Sequence, residues 1–549
     1  MTTPVANSDT QTGKRRYQLP SIAVLALWVI VFAIYPWYRY YLDPDGTSYL
    51  TIAQRYAYGD YIKAINGLWS PWACWLTALL IRTGLQPIPA AIIINTLGAS
   101  GFLLVGYSLF GRFAIAEKAK QLLTATLVVF LCFAVYCQTF NDLWQCFFTL
   151  TILRIMLGVH YTRSPLLWMA TGIIGALAYF AKAYSLPFFV LNTVVCTWFI
   201  TGGDLRQWFK IVSVSVFTIL VCSFPWMYAL HLKYGIWTSS TAGPLNMSWY
   251  LVGHPEWKEG INVLLPPAHS DSPYYWEDPW FANGHLSHFW DSRHLMVRQI
   301  LRFGLNCFVL VLCMLELSVF FPLIGWMIVN KTLRIKQFLT MATNEKVLYL
   351  SLLILPAGYI LVHLESRYLW YAVVPGMIIG ALYIQRYKFR TEQIRNYVLV
   401  MFCGSFILYP VWRLVAMHNT GKMEYEFAQK MNAAGIKNAD FVSNLHPRLL
   451  SKIAYFSGNH FYVVSRQKPA PTVQEQLQQK AENTQQLTAD INRYRIKYYL
   501  YAPSRSGLML NPGFNEIFYE NLKDKTGLIN GRLVVQDTAT GISLYRIGQ

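Results

Sequence analysis

The sequence predicts a mainly α-helical, polytopic membrane protein with a small α/β domain outside the membrane at its C-terminal end. Only 13% of its 549 residues are charged, about half of the level typical of a soluble domain. Eleven apolar runs are long enough, or nearly so, to cross a hydrocarbon core about 30 Å thick. Residues 418–549 instead alternate short helix-like and strand-like runs. A soluble globular protein and a disordered chain are both excluded.

The apolar runs are the predicted membrane spans. They lie at about 20–38, 88–110, 121–139, 143–159, 166–181, 187–201, 211–230, 303–330, 347–363, 368–385 and 397–416. One further run, Trp69–Gly84, is shorter and contains Pro71 and Arg82. Whether this run crosses the membrane decides the side on which every later loop falls.

The positive charges decide the topology, because cytoplasmic loops are enriched in Lys and Arg. If Trp69–Gly84 does not cross, the basic N-terminal tail and five basic connections all fall on the cytoplasmic side. Their basic residues are Lys14, Arg15, Arg16, Arg112, Lys118, Lys120, Arg163, Arg206, Lys210, Lys331, Arg334, Lys336, Lys346, Arg386, Lys388, Arg390 and Arg395. If the run crosses, several of these clusters fall outside. We therefore predict eleven crossings, with Trp69–Gly84 lying along the outer surface or dipping into it.

This topology divides the chain into three parts. A cytoplasmic tail (1–19) precedes a transmembrane domain (20–417) with outer loops at 39–87 and 231–302, and an extracytoplasmic, periplasmic α/β domain (418–549) follows. In that domain we expect helices at Glu424–Ala434, Arg448–Phe456, Val473–Tyr494 and Phe514–Asp524, strands at Asp440–Ser443, Phe461–Ser465 and Tyr498–Tyr501, and a hairpin of Arg532–Gln536 with Ile542–Arg546. The first span is predicted to be an anchor, since no small-residue cleavage site follows it. The expected location is a bacterial inner (plasma) membrane.

The net charge of +19 would usually suggest nucleic-acid binding. Here the excess belongs to the cytoplasmic segments, so nucleic acid is not a predicted partner and membrane lipids are. The nine cysteines lie mostly in apolar runs without a CxxC pair, which argues against a disulfide framework or a zinc site. No P-loop, G-x-G-x-x-G or G-x-S-x-G motif is present, so ATP hydrolysis and serine-esterase chemistry are unsupported.

Two carboxylates stand directly after the first span, in Asp43-Pro44-Asp45-Gly46. A carboxylate at a membrane interface can act as a general base for an incoming hydroxyl. Beside a phosphate it can also help to hold a divalent cation. The alternative is an N-cap of a helix Tyr49–Tyr58, because Asp is a favoured N-cap residue. Both interpretations stay open on the local sequence.

A longer pattern runs through this segment. It consists of Asp45, Tyr49, Ala53, Gly59 and Asp60. The pattern resembles the first outer loop of the GT-C membrane glycosyltransferases, and is closest to the aminoarabinose–lipid A transferase and protein O-mannosyltransferase relatives. The resemblance implies a GT-C-like fold and an acidic catalytic residue at Asp45, supported by Asp43, while Gly46 stands where the family often has a second acid.

Other outward positions resemble the same family over roughly residues 20–400. Asn66, Trp69 and Pro71 resemble its Pro-containing juxtamembrane helix. Asp142 resembles an acid after the third span, Lys182 a lysine at an outward helix end, and His363-Leu364-Glu365-Ser366-Arg367-Tyr368 a Glu-x-Arg-Tyr motif. The resemblance implies that Lys182, Arg367, Tyr368 and His363 bind the phosphate of a donor, with Glu365, Asp142, Asn66, Trp69 and Tyr49 in supporting roles.

Physical chemistry supports the phosphate role independently for two of these residues. Lys182 offers a point charge, and Arg367 can bind phosphate oxygens in a bidentate manner. The alternatives are a Lys182 side chain that only extends to the membrane surface and an Arg367 that only pairs with Glu365.

The 231–302 loop is rich in aromatic residues and histidines. Trp276 and Glu277 lie in its Pro273–Trp280 stretch, and a second such stretch is His254-Pro255-Glu256-Trp257. Aromatic faces beside carboxylates suit sugar recognition, although membrane-interface belts have the same composition. His285 and His288 would share a face and could ligate a metal if the segment were helical.

The predicted function is the transfer of one sugar, with inversion, from a polyprenyl-phosphate donor to a hydroxyl of a lipid, glycan or protein acceptor on the outer membrane face. Asp45 is the predicted base, across a cavity from Lys182 and Arg367. No cofactor is certain, and a divalent cation is left open. The alternatives are a secondary transporter or lipid flippase, disfavoured because the charges cluster at one face and no halves match, and a non-catalytic scaffold with a sensing outer domain.

Overall fold

The computed structural model describes residues 9–137, 141–253, 264–282, 286–464, 472–503, 507–510 and 531–547. The chain forms two compact units. The first comprises Met1–Arg39, Ser70–Ser239 and Ile300–His418, and the second Tyr40–Trp69, Ser240–Gln299 and Asn419–Gln549. Parts of both outer loops thus belong to the same compact unit as the C-terminal domain.

The helices of the described ranges follow one another closely along the chain. They are α1 (Asp9–Tyr38), α2 (Pro44–Tyr58), α3 (Tyr61–Ala64), α4 (Trp72–Arg82), α5 (Pro87–Phe110), α6 (Glu117–Tyr136), α7 (Asp142–Met156), α8 (Pro165–Ala181), α9 (Ser185–Ile200), α10 (Leu205–Tyr234), α11 (Ala242–Val252), α12 (Arg293–Leu317), α13 (Phe321–Leu333), α14 (Ile335–Thr340), α15 (Thr343–Ile354), α16 (Ala357–Val362), α17 (Val373–Arg386), α18 (Glu392–Met417), α19 (Lys422–Ala433), α20 (Pro447–Ser457) and α21 (Val473–Tyr494).

Apolar helices dominate the first unit. Among the described residues, eight helical segments are long and apolar enough to cross a membrane, and each coincides with a predicted span. The other three predicted spans fall on the shorter helices α7, α8 and α9, so the number of crossings stays a prediction. Large apolar side chains such as Phe217, Leu301 and Leu408 are more than half exposed. Such outward apolar faces are typical of helices surrounded by lipid.

The predicted span 303–330 is wrong as a single helix. The structure has two helices there, α12 and α13, and Pro322 lies in the first turn of α13. Proline is favoured in a first turn because it lacks the N–H that a helix interior requires. The Ser318 hydroxyl, at the break, lies 2.5 Å from the hydroxyl of Ser405, near the middle of α18. The break between α12 and α13 therefore packs against the middle of α18.

The disputed run Trp69–Gly84 contains the 11-residue helix α4. At 1.5 Å per residue this helix is about 16 Å long, which is too short for a hydrocarbon core of about 30 Å. The Asn141 side chain, just before α7, accepts a hydrogen bond from Ala73 N–H and donates one to Ser70 O. These bonds hold the start of α4 at the end of the bundle where α7 begins.

Small residues let the helices of the first unit approach closely. A Cβ atom added to Gly101 of α5 would lie 2.8 Å from the Phe147 ring of α7. One added to Gly172 of α8 would lie 2.6 Å from Thr218 of α10. Small residues at helix contacts are common in membrane bundles, because association there depends on close packing.

The second unit contains a five-stranded mixed sheet. Its strands, with a separate two-stranded pair, are β1 (Leu264–Leu265), β2 (Asp440–Ser443), β3 (His460–Phe461), β4 (Val463–Val464), β5 (Tyr498–Tyr501), β6 (Gly531–Gln536) and β7 (Ser543–Ile547). The sheet order is β3-β2-β5-β7-β6, with β2 parallel to β3 and β5, and β7 antiparallel to β5 and β6. The predicted helices α19, α20 and α21 and the C-terminal hairpin are confirmed. The predicted helix Phe514–Asp524 and Ser465 lie outside the described residues.

The second outer loop is built into this domain. Strand β1 pairs antiparallel with β4. The Tyr274 ring stacks on Phe461 of β3 with 4.8 Å between centroids, and Phe461 N–H donates to Pro273 O over 2.9 Å. Because Tyr274 and Phe461 are both almost fully buried, this part of the loop belongs to the hydrophobic core of the C-terminal domain.

Candidate active site

Asp43 caps the helix that carries Asp45. Its Oδ1 accepts a hydrogen bond from Gly46 N–H over 2.6 Å, and helix α2 begins at Pro44. The helix therefore starts five residues before the predicted Tyr49, because Asp at the N-cap and Pro at the first position together initiate it. The capping alternative thus describes Asp43, whereas Asp45 lies in the first turn.

Asp45 is partly exposed at the N-terminal end of α2. The Nε1 atom of Trp276 donates a hydrogen bond to Asp45 Oδ1 over 3.2 Å. The N-terminal turn of a helix stabilises negative charge, since its backbone N–H groups point outward. The carboxylate is thus oriented by a side chain from the second outer loop and is accessible enough to accept a proton.

Three tryptophans, Trp69, Trp249 and Trp276, pack together beside Asp45; we call them the tryptophan cluster. The Trp276 ring stacks on Trp249 at 5.2 Å and meets Trp69 edge-on at 5.9 Å. Trp69 Nε1 also donates to Trp276 O over 3.0 Å, and Tyr49 meets Trp69 edge-on at 5.1 Å. These contacts fix the Trp276 ring, so that its N–H group is held against Asp45.

Asn66 connects the two outer loops. Its Nδ2 donates to Glu277 O over 2.6 Å, while its Oδ1 accepts from the backbone N–H groups of Leu68 and Trp69, each over 2.9 Å. Asn66 is almost fully buried, and a buried amide that is satisfied on both ends rigidifies its surroundings. Its position is therefore that of a loop-organising residue beside the tryptophan cluster.

Glu277 lies in an ion-pair network around Arg55. Its carboxylate is 1% exposed and accepts from Arg55 Nε over 2.5 Å. Arg55 also donates to Asp271 over 2.8 Å and to Asp60 over 3.0 Å. Burial opposes the charge on Arg55, but Glu277 and Asp271 outweigh it and raise the pKa of the guanidinium. The predicted sugar-binding carboxylate of Glu277 is thus already engaged by a cation.

A second group of predicted residues meets in the first unit. Lys182, which follows α8 in extended conformation, pairs with the buried carboxylate of Asp142 at the start of α7. The Nζ atom of Lys182 also lies 3.7 Å from the centre of the Tyr368 ring, an arrangement in which the ring face attracts the cation. Burial lowers the pKa of Lys182, against the opposing effect of Asp142.

The His363–Tyr368 segment completes this group. After α16 the chain is extended at His363, and the His363 Nε2 and Arg367 Nε atoms lie 3.0 and 2.6 Å from the carboxylate of Glu365. The guanidinium also lies 3.9 Å from Asp142 Oδ2. Burial opposes ionisation of Glu365, but Arg367 and His363 hold its pKa well below the usual range.

We call Asp142, Lys182, His363, Glu365, Arg367 and Tyr368 the cation cluster. The structure brings all six predicted residues together, although they come from three separate parts of the chain. Arg367 forms the ion pair with Glu365 that its alternative describes and also lies near Asp142. Lys182 pairs with Asp142, so its side chain does more than extend to the membrane surface. Two cations held near one another by carboxylates form a site where an oxyanion can replace a carboxylate as partner.

The described residues contain no group of three or more His, Cys, Asp and Glu side chains arranged to hold a metal ion. His288 lies in a non-helical stretch, stacks on Trp290 at 4.6 Å and lies 3.7 Å from Asp291. Its predicted companion His285 and the segment 254–257 lie outside the described residues.

Several residues around these sites were not predicted. They are Arg55, Asp271, Trp249, Tyr184 and Tyr359. Tyr359 stacks on Tyr368 at 4.6 Å and contacts Tyr184 at 4.0 Å, which backs the cation cluster with aromatic rings. The available signal was an arginine, Arg55, in a helix whose neighbouring residues are mostly uncharged. Its partner Asp60 lies nearby in sequence, but Asp271 and Glu277 lie more than 200 residues away.

No known family profile matches this sequence, and comparison with curated proteins finds no match. Two solved structures match its fold over nearly the whole chain. Both are of ArnT from Cupriavidus metallidurans, one bound to undecaprenyl phosphate and one in the apo state. Each is 12% identical to this chain and covers 96% of it and 97% of the ArnT chain, with TM-scores of 0.54 and 0.55. ArnT is an aminoarabinose–lipid A transferase of GT-C fold. The GT-C-like membrane fold predicted from the sequence is therefore confirmed.

Proposed function

We propose that this protein is a membrane glycosyltransferase that moves one sugar from a polyprenyl-phosphate donor to a hydroxyl group of an acceptor. The observation that carries the proposal is the cation cluster, in which Lys182 and Arg367 lie together with Asp142. The likeness in fold between this chain and ArnT, one structure of which holds undecaprenyl phosphate, supports a donor of the same lipid-phosphate class.

In this proposal the cation cluster binds the donor phosphate. Arg367 offers a planar fork for two phosphate oxygens, and Lys182 adds a point charge. When the bond between the sugar and the phosphate oxygen breaks, negative charge grows on that oxygen. Fixed cations stabilise such charge strongly, because they need no reorganisation during the reaction. His363 and Glu365 hold Arg367 in position.

Asp45 acts as the general base. The acceptor hydroxyl attacks the anomeric carbon, its proton passes to the Asp45 carboxylate, and the lipid phosphate leaves as an anion, so that charge and atoms balance. A single displacement inverts the anomeric centre, and this requires the base and the phosphate-binding cations to act on opposite faces of the sugar. Asp43 supports the base by capping its helix, and the tryptophan cluster offers aromatic surface for the sugar.

The reaction takes place at the outer face of the membrane, in a chain with a cytoplasmic N-terminus and an extracytoplasmic C-terminal domain. The acceptor is a lipid, a glycan or a protein. A divalent cation beside the donor phosphate remains part of the proposal, and turnover with and without EDTA tests it.

The test begins with lipid extracts from cells that lack the protein. We expect a polyprenyl-phosphate sugar to accumulate, visible by mass spectrometry, and the purified protein to consume it. Asp45→Asn is expected to abolish transfer while donor binding is kept. Asp204→Asn is the matched control, since Asp204 caps α10 and Asn is an equally good cap. Unchanged turnover in Asp45→Asn would exclude Asp45 as the base, and lipid movement without sugar transfer would favour a flippase.

A further inference from the structure

Arg55 is a buried arginine in the second compact unit of the chain. Its side chain is 5% exposed and all three of its nitrogens donate hydrogen bonds. Nε and one terminal nitrogen contact Glu277, the two terminal nitrogens hold Asp271 in a bidentate manner at 2.8 and 3.1 Å, and Ser272 Oγ accepts over 3.1 Å. Lysine cannot reproduce this fork, because its ammonium is a single point charge.

Three of the Arg55 partners, Asp271, Ser272 and Glu277, belong to residues 271–277, which we call the clamp loop. A further partner, Asp60, follows α2 in the first outer loop. The clamp loop also contacts the opposite end of α2. Tyr274 donates its hydroxyl proton to Pro44 O over 3.4 Å, and Trp276 Nε1 donates to Asp45 Oδ1 over 3.2 Å. Helix α2 is thus attached to the clamp loop at both ends. Tyr274 and Trp276 of the loop contact its first turn, and Arg55, in its own last turn, contacts the loop.

The clamp loop is fastened from behind to the C-terminal sheet. His460 Nδ1 lies 2.9 Å from Ser272 O, and Phe461 N–H donates to Pro273 O over 2.9 Å. Strands β2 and β3 therefore provide a rigid support on one side of the loop, while α2 lies on the other. The clamp loop thus contacts β3 on one side and α2 on the other, and these contacts fix the position of Trp276.

We propose that Arg55 is a positioning residue that acts through the clamp loop to orient the carboxylate of Asp45. The guanidinium fixes Glu277 and Asp271, these fix the backbone of the clamp loop, and the loop holds the Trp276 N–H against Asp45. A buried ion pair must have precise geometry to offset the cost of removing its charges from water. The ion pairs of Arg55 therefore fix the position of the clamp loop. The chemical part of this inference rests on the proposed function, whereas the clamp itself does not.

Arg55→Lys tests the inference, because it keeps the charge and removes the fork. We expect kcat to fall about 10- to 100-fold, because small misplacements of catalytic groups cause losses of this size. KM for the donor should change less than about threefold. Hydrogen–deuterium exchange should quicken in peptides that cover 44–50 and 271–280. Asp271→Asn, at a side chain that is 51% exposed, should shift both measurements in the same direction.

Lys452→Gln is the matched control. Lys452 forms a buried 2.7 Å ion pair with Glu424 in the same unit, and neither residue belongs to the clamp loop. We expect it to lower the unfolding temperature as Arg55→Lys does, but to leave kcat and the exchange of the two peptides unchanged. Equal losses of kcat in Lys452→Gln and Arg55→Lys would overturn the inference.

A double-mutant comparison separates positioning from general damage. In a Trp276→Phe background, which already lacks the N–H group, Arg55→Lys should lower kcat by less than about threefold further, since coupled residues are not additive. Fully multiplicative losses would overturn the inference, and so would faster exchange without a change in kcat. If the unaltered protein shows no transfer at all, the proposed function fails, and unchanged exchange in Arg55→Lys would separately exclude the clamp.

Discussion

The indole Nε1 of Trp276 donates a hydrogen bond to the carboxylate of Asp45 over 3.2 Å, across 231 positions of sequence. Trp276 was predicted to contact sugar and Asp45 to act as base. In the proposed reaction this hydrogen bond also orients Asp45, because a base must point at the hydroxyl that it deprotonates. The effects of changing either residue are therefore expected to be coupled.

Trp276→Phe is expected to lower kcat by roughly tenfold, because it removes the N–H group while an aromatic ring still packs on Trp249 and Trp69. Trp276→Ala should in addition lower the unfolding temperature, because it removes the packing of a partly buried ring against Trp249 and Trp69. Turnover with the purified donor and the unfolding temperature distinguish the two effects. Equal stability of the two variants would contradict the packing of the tryptophan cluster.

Lys182→Met is expected to weaken donor binding and to destabilise the first unit, because it removes the nearer cation of the buried Asp142 carboxylate and leaves only Arg367 at 3.9 Å. Adding Asp142→Asn removes that charge. The double variant should regain most of the lost stability but not donor binding, which a labelled polyprenyl phosphate in detergent can measure. Recovery of both would assign Lys182 a purely structural role.

Gly421→Ala is expected to destabilise the second unit markedly. Gly421 has φ +90°, and an added Cβ would lie 2.0 Å from the carbonyl oxygen of Tyr40. Gly435→Ala is a matched control, since its φ is +76° but nothing lies within 4 Å of the added atom. The control should lose only about 1–2 kcal/mol from backbone strain. Similar unfolding temperatures for the two variants would contradict the close approach at Tyr40.

The stability of the second unit should fall in acid. Hydrogen bonds and charge attraction from Arg55, together with Lys63, lower the pKa of Asp271 from its usual 3.8, although burial opposes them. A carboxylate with a lowered pKa stabilises the fold fully above its unfolded pKa, and this stabilisation is lost as pH falls through the folded pKa. We expect a constant unfolding temperature from about pH 8 to about pH 5 and a fall below about pH 4. Asp271→Asn should flatten that fall, and an unchanged profile would contradict the assignment.

The predicted topology can be checked by labelling engineered cysteines. Ile62→Cys lies at an exposed position of the first outer loop and should react with a membrane-impermeant maleimide in intact cells. Lys388→Cys, on a predicted cytoplasmic connection, should react only after permeabilisation. The unaltered chain, with its nine cysteines, gives the background. The reverse pattern would invert the predicted orientation.

The sequence predicted the cation cluster well for a physical reason. Charge asymmetry across the spans assigns Asp142, Lys182 and Arg367 to the same side of the membrane, and the structure brings them together. The sequence did not predict the break between α12 and α13, since the 303–330 run is apolar on both sides of Ser318. Arg55 was missed because two of its carboxylate partners, Asp271 and Glu277, come from the second outer loop, and no local pattern encodes a contact over that distance.

The segments of the two compact units alternate along the chain, and this affects how the protein is synthesised and how it can evolve. The chain passes between them five times, since each consists of three separate segments. Helix α2, with Asp45, leaves the ribosome early, but the strands that back its clamp loop are made only after residue 440. Asp45 therefore remains without this support until the chain has been made past residue 461. No single crossover between related genes can exchange one unit and leave the other whole, so the two are constrained to evolve together.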